Sequence, residues 1–179
     1  MQRATSRSTT PEPNEKTLLA AVALAAVLAP LNSTMIAVAL PGIVDDLGAS
    51  VASATWLITA YLVVMASVQP LAGKIGDSMG RRKLILISLL LFLVVSIGAS
   101  MASSIWILLV FRIGQALFIS VVLANGFAIL RQTVPTQRRG RTFGIVEATT
   151  GLSAAAGPLV GGLLITLADW RAIFIVNIP

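Results

Sequence analysis

Three runs without a single charged residue, Thr17 to Val44, Leu47 to Gly73 and Leu84 to Phe111, decide what this chain can become. Each is longer than the ~20 residues that carry a helix across ~30 Å of hydrocarbon. Leu84 to Leu130 contains one charge, Arg112, and has room for two spans joined by a tight turn at Ala102-Ser103-Ser104. A further span runs from Thr142 to about Leu167, whereas Ala172 to Pro179 is apolar but far too short to cross. The sequence therefore predicts an all-α membrane protein: five complete transmembrane helices, about 17–41, 53–72, 84–101, 105–130 and 142–167, and the start of a sixth at 172. A charged content of 11%, against about 25% in soluble domains, agrees.

The first span is not a signal peptide, whose apolar core is only about 7 to 15 residues; this one is longer and carries Pro30 and a polar Asn32-Ser33-Thr34 inside it. Residues 1–16, rich in Ser, Thr and Pro, read as a disordered cytoplasmic tail, leaving 17–179 as a transmembrane domain truncated in its sixth helix. With no Cys and no His the chain offers no disulfide, thiolate metal site or imidazole relay. No cofactor or metal is expected.

Orientation follows from the cations. With the N-terminus inside, Arg3, Arg7, Lys16, Lys74, Arg81, Arg82, Lys83, Arg131, Arg138, Arg139 and Arg141 fall on the cytoplasmic side and only Arg171 on the other. That asymmetry is the positive-inside signature of a multi-pass plasma-membrane protein with a cytoplasmic N-terminus. The net charge of +6 is thus a matter of topology and of membrane lipid as neighbour, not of nucleic acid.

Inside the spans, the informative residues are those that hydrocarbon rejects. Arg112 is expected to face a bundle interior or an aqueous cavity, with Gln115 one turn on along the same side of the helix. It serves either as a structural clamp on backbone carbonyls or in function. Glu147 enters the fifth span from the inner loop, and its depth differs from that of Arg112 by roughly 10 Å at the helical rise, so a direct ion pair is not implied. In the same span Gly144, Ala148, Gly151, Ala155 and Gly162 fall on one stripe, with Pro158 beside them. Such a stripe predicts close approach of another helix, and Pro158 a kink or loosening.

The run Gly73-Lys74-Ile75-Gly76-Asp77-Ser78-Met79-Gly80-Arg81-Arg82-Lys83, expected as a cytoplasmic turn, resembles the signature between the second and third helices of the major facilitator superfamily. Leu108 to Gln115 resembles that family's fourth-helix signature, carried by Arg112 and Gln115. Gly144, Ser153, Gly157-Pro158 and Gly161-Gly162 are similar to its fifth-helix antiporter signature, with Ser153 where the pattern has Gly. Leu31-Asn32-Ser33-Thr34 with Ala39-Leu40-Pro41, Trp56 with Tyr61-Leu62, and Trp170 to Pro179 resemble the 14-helix drug:proton antiporters. Four positions depart: Asn32 stands for a usual acid, Ala37 for Asn, Ser78 for Arg and Ala116 for Gly. An amide at 32 cannot accept a proton.

The resemblance implies a partial N-terminal bundle of a proton-coupled drug or small-molecule efflux antiporter, working by alternating access between two halves with the substrate site at their interface. It implies a cytoplasmic loop motif of Gly73, Asp77, Gly80, Arg81 and Arg82 with Asp77 and Arg81 in the latch; proton coupling around Arg112 and Gln115; a fifth-helix motif of Gly144, Gly157, Pro158, Gly161 and Gly162 whose closing Gly157 and Pro158 shape; and a substrate cavity touched by Asn32 and Thr34. Glu147, the one acid within the five spans, is the remaining candidate for the proton, unless it is an interfacial acid that is solvated or paired with Arg141. The partners implied are a small-molecule substrate, protons and a missing C-terminal half. A uniporter or nutrient symporter of the same family, or a fragment that only assembles with a partner, are the other readings. An enzyme is not expected: no paired carboxylates, metal-ligand cluster or phosphate-cradling loop is present.

Overall fold

The computed structural model describes the backbone of residues 15–177 and the side chains of 23–177 apart from 25. The tail expected over 1–16 lies outside the described residues as far as 14; Glu15 and Lys16 already belong to a helix. Five helices are long and apolar enough to cross a membrane: α1 (Glu15–Leu47), α2 (Val51–Met79), α3 (Arg81–Ser100), α4 (Ile105–Thr133) and α5 (Thr136–Leu167), followed by one turn, α6 (Ala172–Ile175).

The loops are shorter than the apolar spans suggest. Gly73 to Lys83 was expected as a turn, yet α2 runs on to Met79, α3 begins at Arg81, and Gly80 alone breaks the helix, at φ 88°. Hydrocarbon requires a helix only within its own thickness, but the helical ladder continues for as long as the backbone allows. The break falls where a residue without Cβ takes a left-handed φ at little cost. Arg81 then reaches back across it to Asp77, donating from Nη2 at 2.6 Å and Nε at 3.0 Å. At the opposite ends of the spans, Ser50 and Ser104 cap α2 and α4 by accepting from the backbone N–H of Ser53 and Ile107, each satisfying one orphan donor of a first turn.

The fourth helix is the axis of the bundle. Half of its most apolar window is buried, against 17% to 33% in the other spans, because α2, α3 and α1 all lie against it while α5 lies on α1. Two apolar clusters result. One gathers Ala29, Tyr61, Phe92, Ile119 and Val146; the other gathers Met35, Leu57, Ala99, Leu108 and Phe174. On α1, α3 and α4 alike, the residues between the two are polar: Asn32, Ser96, and Arg112 with Gln115. At the α6 end, Trp170 donates from Nε1 to Asp46 at 3.1 Å and Arg171 pairs with Asp46 at 2.9 Å, pinning the start of α6 to the end of α1.

The expected small-residue stripe of α5 meets no helix among the described residues. Gly144, Gly151 and Gly162 have nothing within 4 Å of where a Cβ would stand, and Ala148 and Ala155 are exposed. The close approach is made by Ser153, Gly157 and Gly161, spaced i, i+4, i+8 on a different side of the helix. A Cβ at Gly157 would fall 1.7 Å from Thr34 Oγ1, and one at Gly161 would fall 3.0 Å from the Met35 Cα. Ser153 donates to the Val27 carbonyl at 2.6 Å. Its hydroxyl adds a bond that a Gly there would lack.

These contacts set a testable contrast. Gly157→Leu should cost ~1–3 kcal/mol or more by overpacking α1 against α5, whereas Gly151→Leu should leave the stability of the bundle within about 0.5 kcal/mol. Thermal unfolding of the two variants in detergent checks this; equal destabilisation would refute the assignment of the contact face.

Candidate functional site

Arg112 is the one charge in a span that is completely buried, at 0% exposure with Asn32 and Gln115. Four helices converge to hold it. From α4 it donates through Nη1 to Asn32 Oδ1 on α1 and to Gln115 Oε1 at 3.1 Å, and through Nε to the Leu57 carbonyl of α2 at 3.5 Å. Gln115 passes the network to α3 by donating from Nε2 to Ser96 Oγ at 2.8 Å. The guanidinium also lies 4.2 Å from the centroid of the Tyr61 ring, a cation–π contact whose strength grows with desolvation. Tyr61 is held in turn by donation from its hydroxyl to the Ala29 carbonyl at 3.3 Å.

Beside this layer is a cavity of about 340 Å³ walled by α1, α2, α4 and α5. Tyr61 forms part of the wall it shares with the arginine layer; Ser33, Thr34, Gln69, Thr150 and Glu147 supply its polar groups, and Leu62, Met65 and Phe127 its apolar ones. Glu147 is exposed, with no cation paired to it among the described residues. Arg112 and Glu147 make no ion pair. The hydroxyl of Thr34 is turned back onto its own helix, donating to the carbonyls of Pro30 at 2.8 Å and Leu31 at 3.2 Å.

A second, larger space of about 770 Å³ lies at the basic end, between Arg81, Arg131 and Arg139 with Phe127 and Phe143. Asn125, on α4, anchors the helices above it: its Nδ2 donates to the carbonyls of Ala72 on α2 at 3.1 Å and Val121 at 2.9 Å. A Cβ at Gly76 would fall 1.6 Å from Asn125 Oδ1, so any larger residue before Asp77 would require the Asn125 amide to move.

The sequence-derived residues thus separate into groups. Asn32, Arg112 and Gln115 meet in one network; Thr34 and Glu147 share a cavity next to it; Asp77 and Arg81 pair at the helix break, with Arg82 exposed beside them. Gly157 and Gly161 press on α1, Gly144 and Gly162 press on nothing among the described residues, and Pro158 is exposed. Tyr61, Ser96 and Asn125 were not among the expected site residues. Tyr61 stood in the sequence only as part of the second-helix resemblance, and Ser96 and Asn125 only as polar groups amid apolar residues.

Helices of membrane length gathered about a buried arginine and a side cavity define a polytopic transporter-like bundle. The chain belongs to the Major Facilitator Superfamily, whose family model matches residues 22–179. It is 44% identical over 165 residues to an uncharacterised MFS-type transporter, YvkA, of Bacillus subtilis (92% of this chain, 37% of that protein). It is 37% identical to the tetracenomycin C resistance and export protein of Streptomyces glaucescens (90% and 30%), and 29% identical to the riboflavin transporter RibZ of Clostridioides difficile (90% and 36%). The fold matches the crystal structure of a bacterial homologue of the human lysosomal transporter Spinster, inward-facing and unoccupied, with a TM-score of 0.77 at 19% identity, over 93% of this chain and 40% of that one. The chain spans about a third of the length of these curated relatives.

The layer predicts an ordered pair of substitutions. Tyr61→Phe keeps the ring over the guanidinium and loses one long hydrogen bond, at a cost of about 1 kcal/mol. Tyr61→Ala removes the ring and opens the arginine to the cavity, at ~3–5 kcal/mol. Unfolding midpoints of the two variants measure the difference, and a Phe variant as damaged as the Ala variant would show that the hydroxyl, not the ring, is what matters.

Proposed function

We propose that the chain is the N-terminal part of a membrane transporter that exports drugs or other small molecules in exchange for protons by alternating access. It would sit in a bacterial plasma membrane, with the N-terminus cytoplasmic and 17–179 forming one transmembrane unit. The observation that carries this reading is the cavity against Tyr61. It is small, mostly apolar, built from four spanning helices, and has one carboxylate at its wall, Glu147. A half-cavity of this kind is what one half of a two-part transporter contributes to a site at the interface; the other half, protons and a small-molecule substrate would be its partners. Support for export comes from the relative named for resistance and export; the relative named for riboflavin supports a different cargo. Transport, not catalysis, is the activity proposed.

In this reading Asn32 does not carry the proton, because an amide has no acid–base chemistry in the working range. Glu147 does. Asp77 with Arg81, flanked by Gly73, Gly80 and Arg82, forms the cytoplasmic latch, and Gly157 with Pro158 shapes the movement of α5 on α1. In the full-length transporter Glu147→Gln should abolish export driven by an imposed pH gradient, at least 10-fold, while substrate binding persists. Undiminished proton-driven export by that variant in vesicles would overturn the coupling role.

Topology is tested separately. Because the chain has no Cys, single cysteines report cleanly: Ser50→Cys should react with an impermeant thiol reagent added to intact cells, and Ser78→Cys should react only after the membrane is opened. Labelling of Ser78→Cys from outside would invert the proposed orientation.

A further inference from the structure

The buried cation of this bundle meets no carboxylate among the described residues. Among the described residues the ion pairs are Arg81 with Asp77 and Arg171 with Asp46 and Asp169; none involves Arg112. Its acceptors are an amide oxygen on Asn32, another on Gln115 and a backbone carbonyl, all neutral. A guanidinium carries five N–H donors and no acceptor, and Nη2 finds no partner although it is fully buried. The same holds for Nδ2 of Asn32, whose oxygen the guanidinium holds. Turning the amide round would face N–H against N–H, so the orientation of Asn32 is fixed by its neighbour. Two unpaired donors therefore belong to one hydrogen-bonded pair that bears a full positive charge.

Leaving such a charge unpaired out of water is costly, and the missing element is specific: a group that only accepts, and that is negative. A water molecule could accept from one of these donors, but it brings no charge to offset the guanidinium. We infer that Arg112 and Asn32 form a buried binding site for a small monovalent anion, a halide or the carboxylate of a small acid. Tyr61 stands between this pair and the neighbouring space: its ring covers the guanidinium at 4.2 Å, and it lines the cavity of about 340 Å³, which neither Arg112 nor Asn32 lines. An anion reaching the cavity meets Tyr61 first and Arg112 behind it. This site concerns ion binding by the bundle and does not rest on the direction, cargo or coupling of transport.

The test reads binding rather than transport. Full-length protein in detergent is unfolded thermally in sodium chloride, in sodium formate and in sodium gluconate, at equal ionic strength and pH. Chloride or formate should raise the midpoint by several degrees and saturate, as ligand linkage requires, and gluconate, a much bulkier carboxylate, should not. A response to formate alone assigns the site to carboxylates and a response to both assigns it to small anions generally. Asn32→Asp places a carboxylate where the amide stands, so its midpoint in gluconate should exceed that of the parent and its response to chloride and formate should vanish. Radiolabelled chloride, displaced by formate, should bind the unaltered protein saturably at one ion per chain, a measurement that needs no variant to fold. Absence of any saturable chloride or formate effect on the parent overturns the inference, and so does an Asn32→Asp variant that keeps the full anion response, which would move the site to the exposed arginines.

Discussion

The arrangement of this bundle depends on burying one guanidinium. Arg112 cannot sit against lipid, and the only alternative the chain offers is an enclosure built from its neighbours: Asn32 from α1, the Leu57 carbonyl and Tyr61 ring from α2, and Gln115 with Ser96 behind it linking α4 to α3. Each contact fixes the register of one helix against α4. The apolar clusters on either side do not have that power, because in lipid an apolar side chain gains little by choosing a protein neighbour over an acyl chain. Direction and register come from the polar layer; the apolar clusters fill the volume that it fixes.

A second dependence links that layer to α5, which does not touch Arg112 through any hydrogen bond described here. The α1 turn from Pro30 to Met35 faces two ways. Asn32 looks to Arg112, while Thr34 and Met35 meet Gly157 and Gly161 with no room for a Cβ between them. Packed interfaces of this kind do not deform smoothly; they shift between discrete arrangements. A displacement of α5 along α1 must therefore be taken up in the same turn that presents Asn32 to the guanidinium, and the cavity holding Thr34 and Glu147 lies at that junction. Helix movement and the arginine layer are mechanically one system, joined by less than two turns of α1.

Much of this was readable from the sequence. Hydropathy alone places the spans, since a helix in hydrocarbon needs only length and apolarity, and the lone Arg112 declares itself by being expensive. What could not be read was which side of a helix meets which neighbour. On α5 two sets of small residues exist, Gly144 to Gly162 on one side and Ser153, Gly157 and Gly161 on another, and both satisfy the requirement for close approach. Only the position of α1 decides between them, and that position follows from Asn32 reaching Arg112, a contact between residues far apart in the chain. The run around Asp77 misled for a different reason: glycines and cations punctuate a membrane span whether or not the helix stops there, and a single left-handed residue, Gly80, was enough to turn the chain.

Tyr61 shows why some site residues stay hidden. It is the one tyrosine of the chain and falls within the stretch from Trp56 to Leu62 that carries the resemblance, yet nothing in the sequence ties it to Arg112. Its role comes from standing between two things that the sequence presents separately, the buried charge and the cavity. An aromatic ring is suited to that position because its face attracts the cation while the rest of the ring is apolar. An aliphatic side chain would seal the arginine without stabilising it, and a polar one would admit water to a charge that now has a dry environment. Tyr61 is therefore the residue through which the charged layer and the cavity touch.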